Sequence, residues 1–508
     1  MKKYISVLKP WTLLILVGVS SLFLYTINLG EAPFVDYDEA IYAEVIRESV
    51  ASGNPFTLTF DGRPWFDKPP LYFFAVMATD KVFYPFSKAK LHPTEFSARL
   101  PSALAGVGCI ILVWLIIFQK TRNKRLATLA ALILLSTGTF IDNVRQVRLE
   151  APVSAAILFT YYSYIRSIAD AKWKSWMWVT LSIGVMIKGV IGLLALPIIL
   201  IDMIVSDGPQ DLIKRLSSSF KGKSARIGML VAVIIVIPWH LYQTIFYGSA
   251  FWNHYVLVHV IERFSGNLFV STVTPAQFLG WFIGGAVPWS IILICFIPLY
   301  FTPQFFMDRE RYRLFITSII SSFAILLLFS ASQTKALSYL TPLYPFMAVA
   351  IALGIEAIYH HFFRERVRGH LPKLFTVLAC FVVGITAIST SVIVGFKRID
   401  SLEVTTQLAR EEENIGDIIR TESTSDIPVA FVTSHNMETV RFYSGGRKIY
   451  QFEKDEVSST SDYYIVAPRA ELPHVLNSFA VKFASNFTVK YIGDLLTLIK
   501  VGNSAEVI

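Results

Sequence analysis

Ser182-Ile183-Gly184-Val185-Met186-Ile187-Lys188-Gly189-Val190-Ile191-Gly192-Leu193-Leu194 sits in the middle of an apolar stretch running from 175 to 205. Read as one helix, it places a lysine at the centre of a membrane span, at a cost of roughly 2.5 to 3.5 kcal/mol on insertion scales. Read as two short helices turning at Lys188-Gly189, it brings the ammonium to a surface, where most of that cost disappears. The choice also sets the side of everything downstream. With the turn, six basic clusters fall on one face, as the positive-inside rule requires: Lys2 to Lys9, Lys120 to Arg125, Arg166 to Lys174, Lys214 to Arg226, Arg309 to Arg313 and Arg364 to Lys373. With one helix, the sides invert from 206 onward. The two-helix reading is therefore preferred.

The rest of the chain agrees with a membrane reading. Of 508 residues, 54% are hydrophobic and 16% charged, which excludes a soluble protein. Apolar runs recur at 11 to 28, 99 to 118, 126 to 141, 151 to 167, 175 to 187, 189 to 205, 227 to 247, 276 to 302, 314 to 334, 336 to 358 and 374 to 396, eleven expected spans. Trp11 to Asn28 is too long for a signal peptide and has no small-x-small cleavage site, so it reads as an uncleaved first span. Leu71 to Phe86, interrupted by Asp80 and Lys81, reads as an interfacial helix. The net charge of +9 resides in the short loops and calls for no nucleic acid. Cys109, Cys295 and Cys380 all lie in apolar runs and give neither a disulfide framework nor a metal site.

An odd number of spans with a cytoplasmic start sends the C-terminus outside. From about 398 the composition becomes charged, with strand-like runs at Ile427 to Val432, Tyr463 to Val466 and Leu496 to Val501 and helix-like stretches at Ser401 to Arg420 and Glu471 to Phe479. This predicts two domains: a polytopic membrane domain over 1–397, with a long first outer loop at 29–98, and a small extracytoplasmic α/β domain over 398–508.

The same topology gathers charge on the outer face. The first outer loop carries Asp38, Glu39, Glu44, Asp67 and Lys68; the second carries Arg145, Arg148 and Glu150; later turns add Lys188, the stretch Phe251 to Phe264 with Arg263, and Lys335. Carboxylates at the water–membrane boundary can act as general bases or hold a metal, and Lys and Arg there can bind a lipid phosphate. Taken singly, each acid is an ordinary loop residue, and Asp-Glu at a helix start suits the helix dipole. Their coincidence on one face points to chemistry on a phospholipid-linked substrate. His240, His254 and His259 are not at ligand spacing and read as interfacial residues, so no metal site is indicated.

The ordered series Asp38-Glu39-x-x-Tyr42-Ala43-Glu44, Gly62-Arg63-Pro64-x-x-Asp67-Lys68-Pro69-Pro70-Leu71, Arg148-Leu149-Glu150, Lys188-Gly189, Pro238-Trp239, Phe251-Trp252, Arg263-Phe264 and Lys335-x-x-x-Tyr339-x-x-Pro342 resembles the bacterial aminoarabinose transferases of lipid A. It is similar also to the wider protein O-mannosyltransferase-like group of GT-C glycosyltransferases. The resemblance implies a multi-span α-helical GT-C-like enzyme of the cytoplasmic (inner) membrane, with about 11 to 13 transmembrane helices; a monomer is expected. It implies transfer of a sugar from a polyprenyl phosphate to a lipid or protein acceptor on the outer face. By matching motif, Asp38 is the leading catalytic carboxylate and Glu150 the second acid. Glu39 belongs with Asp38 at the substrate, and Asp67-Lys68 stands for the family's usual Glu-Lys pair, Lys68 binding the carrier phosphate. Arg148, Lys188, Arg263 and Lys335 add to that phosphate site, and Tyr339 sits beside it. Ile41 stands where the family often has Arg. No cofactor is required, and a divalent metal is left open without being indicated. The rival readings are a protein O-mannosyltransferase, an oligosaccharide ligase and, from another class, a lipid flippase or transporter.

Overall fold

The structure is a computed structural model that describes residues 10–35, 37–83, 91–265, 273–361, 407–422, 427, 429–431, 437–447, 449–451, 463–473 and 486–502. The expected span at 374 to 396 and the basic loop Arg364 to Lys373 lie outside the described residues, as does most of the expected helix at 471 to 479. The chain divides into two compact units. The first comprises Met1–Ile27, Phe66–Tyr72 and Leu100–Phe396; the second comprises Asn28–Trp65, Phe73–Arg99 and Lys397–Ile508.

The first unit is a helical membrane bundle. Among the described residues, four helical stretches are long and apolar enough to cross a membrane, or six if each of two bent pairs is one span; the stretch Trp173–Ser206, expected as two spans, counts as one of the four. Two further apolar helices, Trp11–Thr26 and Leu343–Tyr359, are shorter. The decisive stretch breaks where its sequence changes character. The helix Trp173–Lys188 ends at Gly189, whose φ of 55° and ψ of −131° are open only to glycine, and a 3-10 turn Gly189–Leu194 leads into the helix Ala195–Asp207. The turn folds back on the helix it leaves: a Cβ on Gly192 would lie 2.2 Å from the carbonyl carbon of Gly184. Where lipid supplies no hydrophobic drive between helices, such small residues let backbones approach closely. Gly228 does the same between Lys223–Trp252 and Trp173–Lys188, since its Cβ would meet Ser175 Cα at 2.6 Å.

Two expected continuous spans are bent. Lys124–Leu135 and Gly138–Val144 meet at 72°, and Pro275–Gly285 and Trp289–Phe301 at 109°. In the second pair Pro288 has no amide hydrogen to continue the ladder. The stretch Phe251 to Phe264, expected as an outer turn, is helical. Lys223–Trp252 kinks at Gly248 (φ 53°, ψ −129°) and runs into a π-helix, Asn253–Glu262.

In the second unit, the helix Asp38–Ala51 carries Asp38 and Glu39 in its first turn, where acids complement the helix dipole. Thr59–Phe60 pairs antiparallel with Arg63–Pro64 across Asp61-Gly62. Both turn residues have positive φ, 54° and 69°, as a two-residue hairpin of Asp-Gly type demands. Glu48 accepts both turn amides at 2.9 and 3.0 Å. Five strands form one sheet in the order Ile449–Gln451, Val429–Phe431, Tyr463–Pro468, Leu496–Gly502, Asn486–Ile492. The first three strands are parallel and the last two antiparallel to their neighbours. The helix at 407–422 covers this sheet, burying Ile415 and Ile419 against Val429, Tyr464 and Leu498.

Candidate functional site

In the membrane unit, the segment Phe66–Tyr72 is tied to its neighbours through Ser102. That hydroxyl contacts the Tyr72 hydroxyl at 3.0 Å and donates to the Arg148 carbonyl at 2.7 Å. Asp67 and Lys68 are thereby held beside the start of the helix Glu150–Ser167, and a cavity of about 320 Å³ opens there. Six of the ten sequence-predicted site residues line it: Asp67, Lys68, Glu150, Lys188, Arg263 and Tyr339. The remaining wall is largely apolar, including Val153, Ile191, Leu194, Val260, Leu328 and Phe329. A charged lining within an apolar wall suits an amphipathic ligand.

Within the cavity wall, Lys188 Nζ donates to Glu150 Oε1 at 2.7 Å, both side chains about nine-tenths buried, and lies 5.2 Å from the centroid of the Tyr339 ring. The lysine expected in the phosphate site is thus already paired with a carboxylate. Lys68 Nζ donates to the Asp67 carbonyl at 3.1 Å. Arg148 and Lys335 are not in the cavity wall. Arg148 Nε donates to Gln146 Oε1 at 2.7 Å, and Lys335 Nζ donates to the carbonyl of Ser332, itself a wall residue, at 2.7 Å.

Asp67 draws in two residues set aside from sequence. Its Oδ1 lies 2.8 Å from His254 Nε2 and 2.9 Å from His259 Nε2, and the two imidazole nitrogens are 3.1 Å apart. Burial would raise the Asp67 carboxyl. The bonds from both imidazoles and the charge of Lys68 outweigh it and hold the group well below the usual carboxylate range. From sequence this stretch reads as an outer turn, in which residues five apart have no common face. A π-helix bonds i to i+5 and puts them on one face. The carboxylate oxygen and two imidazole nitrogens lie within 4.8 Å of one another, a donor set suited to Zn²⁺ or a similar ion.

The second unit holds Asp38, half-buried at the first position of its helix. Glu39, expected at the substrate, is 2% exposed and bound by Arg99, whose Nε and Nη2 donate to its two oxygens at 3.0 and 2.9 Å. The same guanidinium donates to the carbonyls of Leu29, Ala32 and Pro33 at 3.0, 2.7 and 2.8 Å, and Glu39 Oε2 accepts the Val35 amide at 3.1 Å. Glu39 therefore orders the segment before Asp38, its carboxylate engaged by the Arg99 guanidinium and the Val35 amide. Glu44 is likewise buried, paired with Arg47 at 2.7 Å, and burial raises its carboxyl.

The family model for dolichyl-phosphate-mannose-protein mannosyltransferase matches residues 67–242. An undecaprenyl phosphate-α-4-amino-4-deoxy-L-arabinose arabinosyl transferase of Shewanella sediminis is 25% identical over 397 residues, which is 76% of this chain and 66% of that protein. The chain spans 64 to 66% of the length of the curated relatives it matches first. Among solved structures, ArnT from Cupriavidus metallidurans bound to undecaprenyl phosphate superposes with a TM-score of 0.71 at 18% identity, covering 97% of this chain and 98% of that one. The archaeal oligosaccharyltransferase AglB from Archaeoglobus fulgidus gives 0.59 at 13%, covering 98% and 74%. The chain has the fold of the GT-C membrane glycosyltransferases and resembles the aminoarabinose transferases and the protein O-mannosyltransferases.

Proposed function

We propose that this protein transfers a sugar from a polyprenyl phosphate to a lipid A-like or other envelope acceptor at the outer face of the inner membrane. The observation that carries the reading is the cavity in which Lys68, Arg263 and the Glu150–Lys188 pair meet an apolar wall. In the reaction, the bond between the anomeric carbon and the carrier phosphate breaks, and its electron pair leaves on the phosphate. The acceptor oxygen forms the new bond to that carbon through an oxocarbenium-like state. Lys68 and Arg263 stabilise the charge growing on the departing phosphate, a task fixed cations perform without a metal. Lys188, neutralised by Glu150, orients that carboxylate and adds charge only if the pair opens. Asp38 takes the proton of a hydroxyl acceptor, or positions an acceptor phosphate that is already ionised. An ion on Asp67, His254 and His259 would supply a fixed positive charge next to Lys68; no bond-making step requires it.

The span count of about 11 to 13, the outer placement of residues 398–508 and action as a monomer belong to the same proposal. A protein O-mannosyltransferase reading is supported by the family match over residues 67–242 and differs in taking a Ser or Thr acceptor. Mass spectrometry of lipids and envelope glycans after deletion tests the proposal. A sugar lost from a lipid supports it, a sugar lost from protein supports the mannosyltransferase reading, and net lipid transport with every sugar retained overturns both.

A further inference from the structure

Phe34, four residues before Asp38, has its main chain held on both sides by one short C-terminal helix, Glu438–Tyr443. The Tyr443 hydroxyl accepts the Phe34 amide at 3.0 Å, and Thr439 Oγ1 donates to the Phe34 carbonyl at 3.3 Å. The Phe34 ring meets Phe442 edge-on at 5.0 Å and lies under the Arg99 guanidinium at 5.6 Å. Tyr443 also donates to the Glu95 carboxylate. Farther along the loop, Arg441 Nη1 bonds Asp61 Oδ1 at 2.9 Å with its guanidinium over the Phe60 ring. The turn that follows abuts the Asp38 helix: a Cβ on Gly446 would lie 2.8 Å from Glu44 Oε1. Four hundred residues of chain separate these partners, so the contact is a tertiary choice and not a consequence of neighbourhood.

A surface cap would need only apolar cover. Here a buried phenol and a buried hydroxyl satisfy the amide and carbonyl of one residue in a loop that has no regular structure of its own. Phe34, and with it the first turn bearing Asp38, is gripped between Arg99 and the C-terminal helix. Burial and the neighbouring Glu95 carboxylate push the Tyr443 phenol far above its usual range, so it remains a donor to Glu95 while its oxygen accepts from Phe34. We infer that the helix Glu438–Tyr443 is a positioning element for sugar transfer, with Tyr443 and Thr439 setting the place of Asp38 through Phe34. The inference rests on the reading of Asp38 as the catalytic carboxylate.

The test uses the full-length protein in lipid nanodiscs with an undecaprenyl-phosphate-sugar donor. Tyr443→Phe removes one oxygen, Thr439→Val removes the other hydroxyl at constant shape, and Thr439→Ser retains it. Misplacement of a reacting group by about 1 Å can cost a hundredfold. Tyr443→Phe combined with Thr439→Val is therefore expected to lower kcat about 10- to 100-fold with donor KM unchanged and faster amide exchange in residues 29–38. Thr439→Ser should match the parent. A merely structural role would lower the folded fraction without splitting kcat from KM and would not distinguish Ser from Val. Unchanged kcat in both Tyr443→Phe and the double variant, or equal damage from Ser and Val, overturns the inference. Asp38→Asn separates the two failures. If it keeps turnover, the reading of Asp38 is wrong; if it is inactive while the double variant is fully active, only the positioning role fails.

Discussion

Two buried carboxylate–cation pairs of similar length behave differently in the two units. Glu39–Arg99, at 2.9 Å, is enclosed: its guanidinium also binds three backbone carbonyls and its carboxylate a backbone amide. Glu150–Lys188, at 2.7 Å, forms part of a cavity wall with Tyr339 alongside. An ion pair closed in by main-chain partners shapes the loop it sits in. One that borders an open cavity remains available to a ligand. Burial and charge alone do not separate these cases; the identity of the remaining partners does.

The largest expected effect tests the residue that the enclosed pair supports. Asp38→Asn should reduce turnover by about 10² to 10⁴-fold, the range for a general base, without changing the thermal midpoint. Retained turnover in reconstituted membranes contradicts the assignment. Next, Glu39→Gln should cost about 3 to 5 kcal/mol of stability by leaving Arg99 buried and unpaired. Glu150→Gln should lower the midpoint less, since the cavity admits water to Lys188, while reducing turnover. Equal losses of thermal midpoint in the two variants would break the comparison. Gly192→Ala sharpens it from the other side. A methyl there overlaps the Gly184 backbone and should cost about 1 to 3 kcal/mol, visible as a lower midpoint and a disturbed Lys188 position.

Smaller effects bear on the cavity rim. Full-length protein dialysed against Zn²⁺ should retain about one ion per chain by elemental analysis, and Asp67→Asn, His254→Ala and His259→Ala should each lower that ratio. Equal zinc in all four proteins rules the site out. Lys335→Ala, outside the cavity wall, should change donor KM no more than about threefold, a loss below about 1 kcal/mol. A larger rise would place Lys335 at the donor phosphate after all.

The membrane character, a change of backbone at Gly189 within the stretch Trp173–Ser206 and the ordered charge series were legible because they depend on local chemistry. An ammonium is costly in hydrocarbon, glycine alone adopts the backbone angles of the break, and the carboxylates and cations that line the cavity are named by their own side chains. The hairpin at Asp61-Gly62, which the sequence reading did not single out, is equally local in origin.

What the sequence could not decide was which charges would be consumed by other parts of the protein. Glu39 and Asp38 are adjacent carboxylates, yet a guanidinium sixty residues away engages Glu39. His254 and His259 look misplaced until the helix beneath them adopts π geometry. The grip of Tyr443 on Phe34 bridges more than four hundred residues. Periodicity and motif report what each segment prefers by itself. Partnership between distant segments depends on packing, which only the folded chain sets.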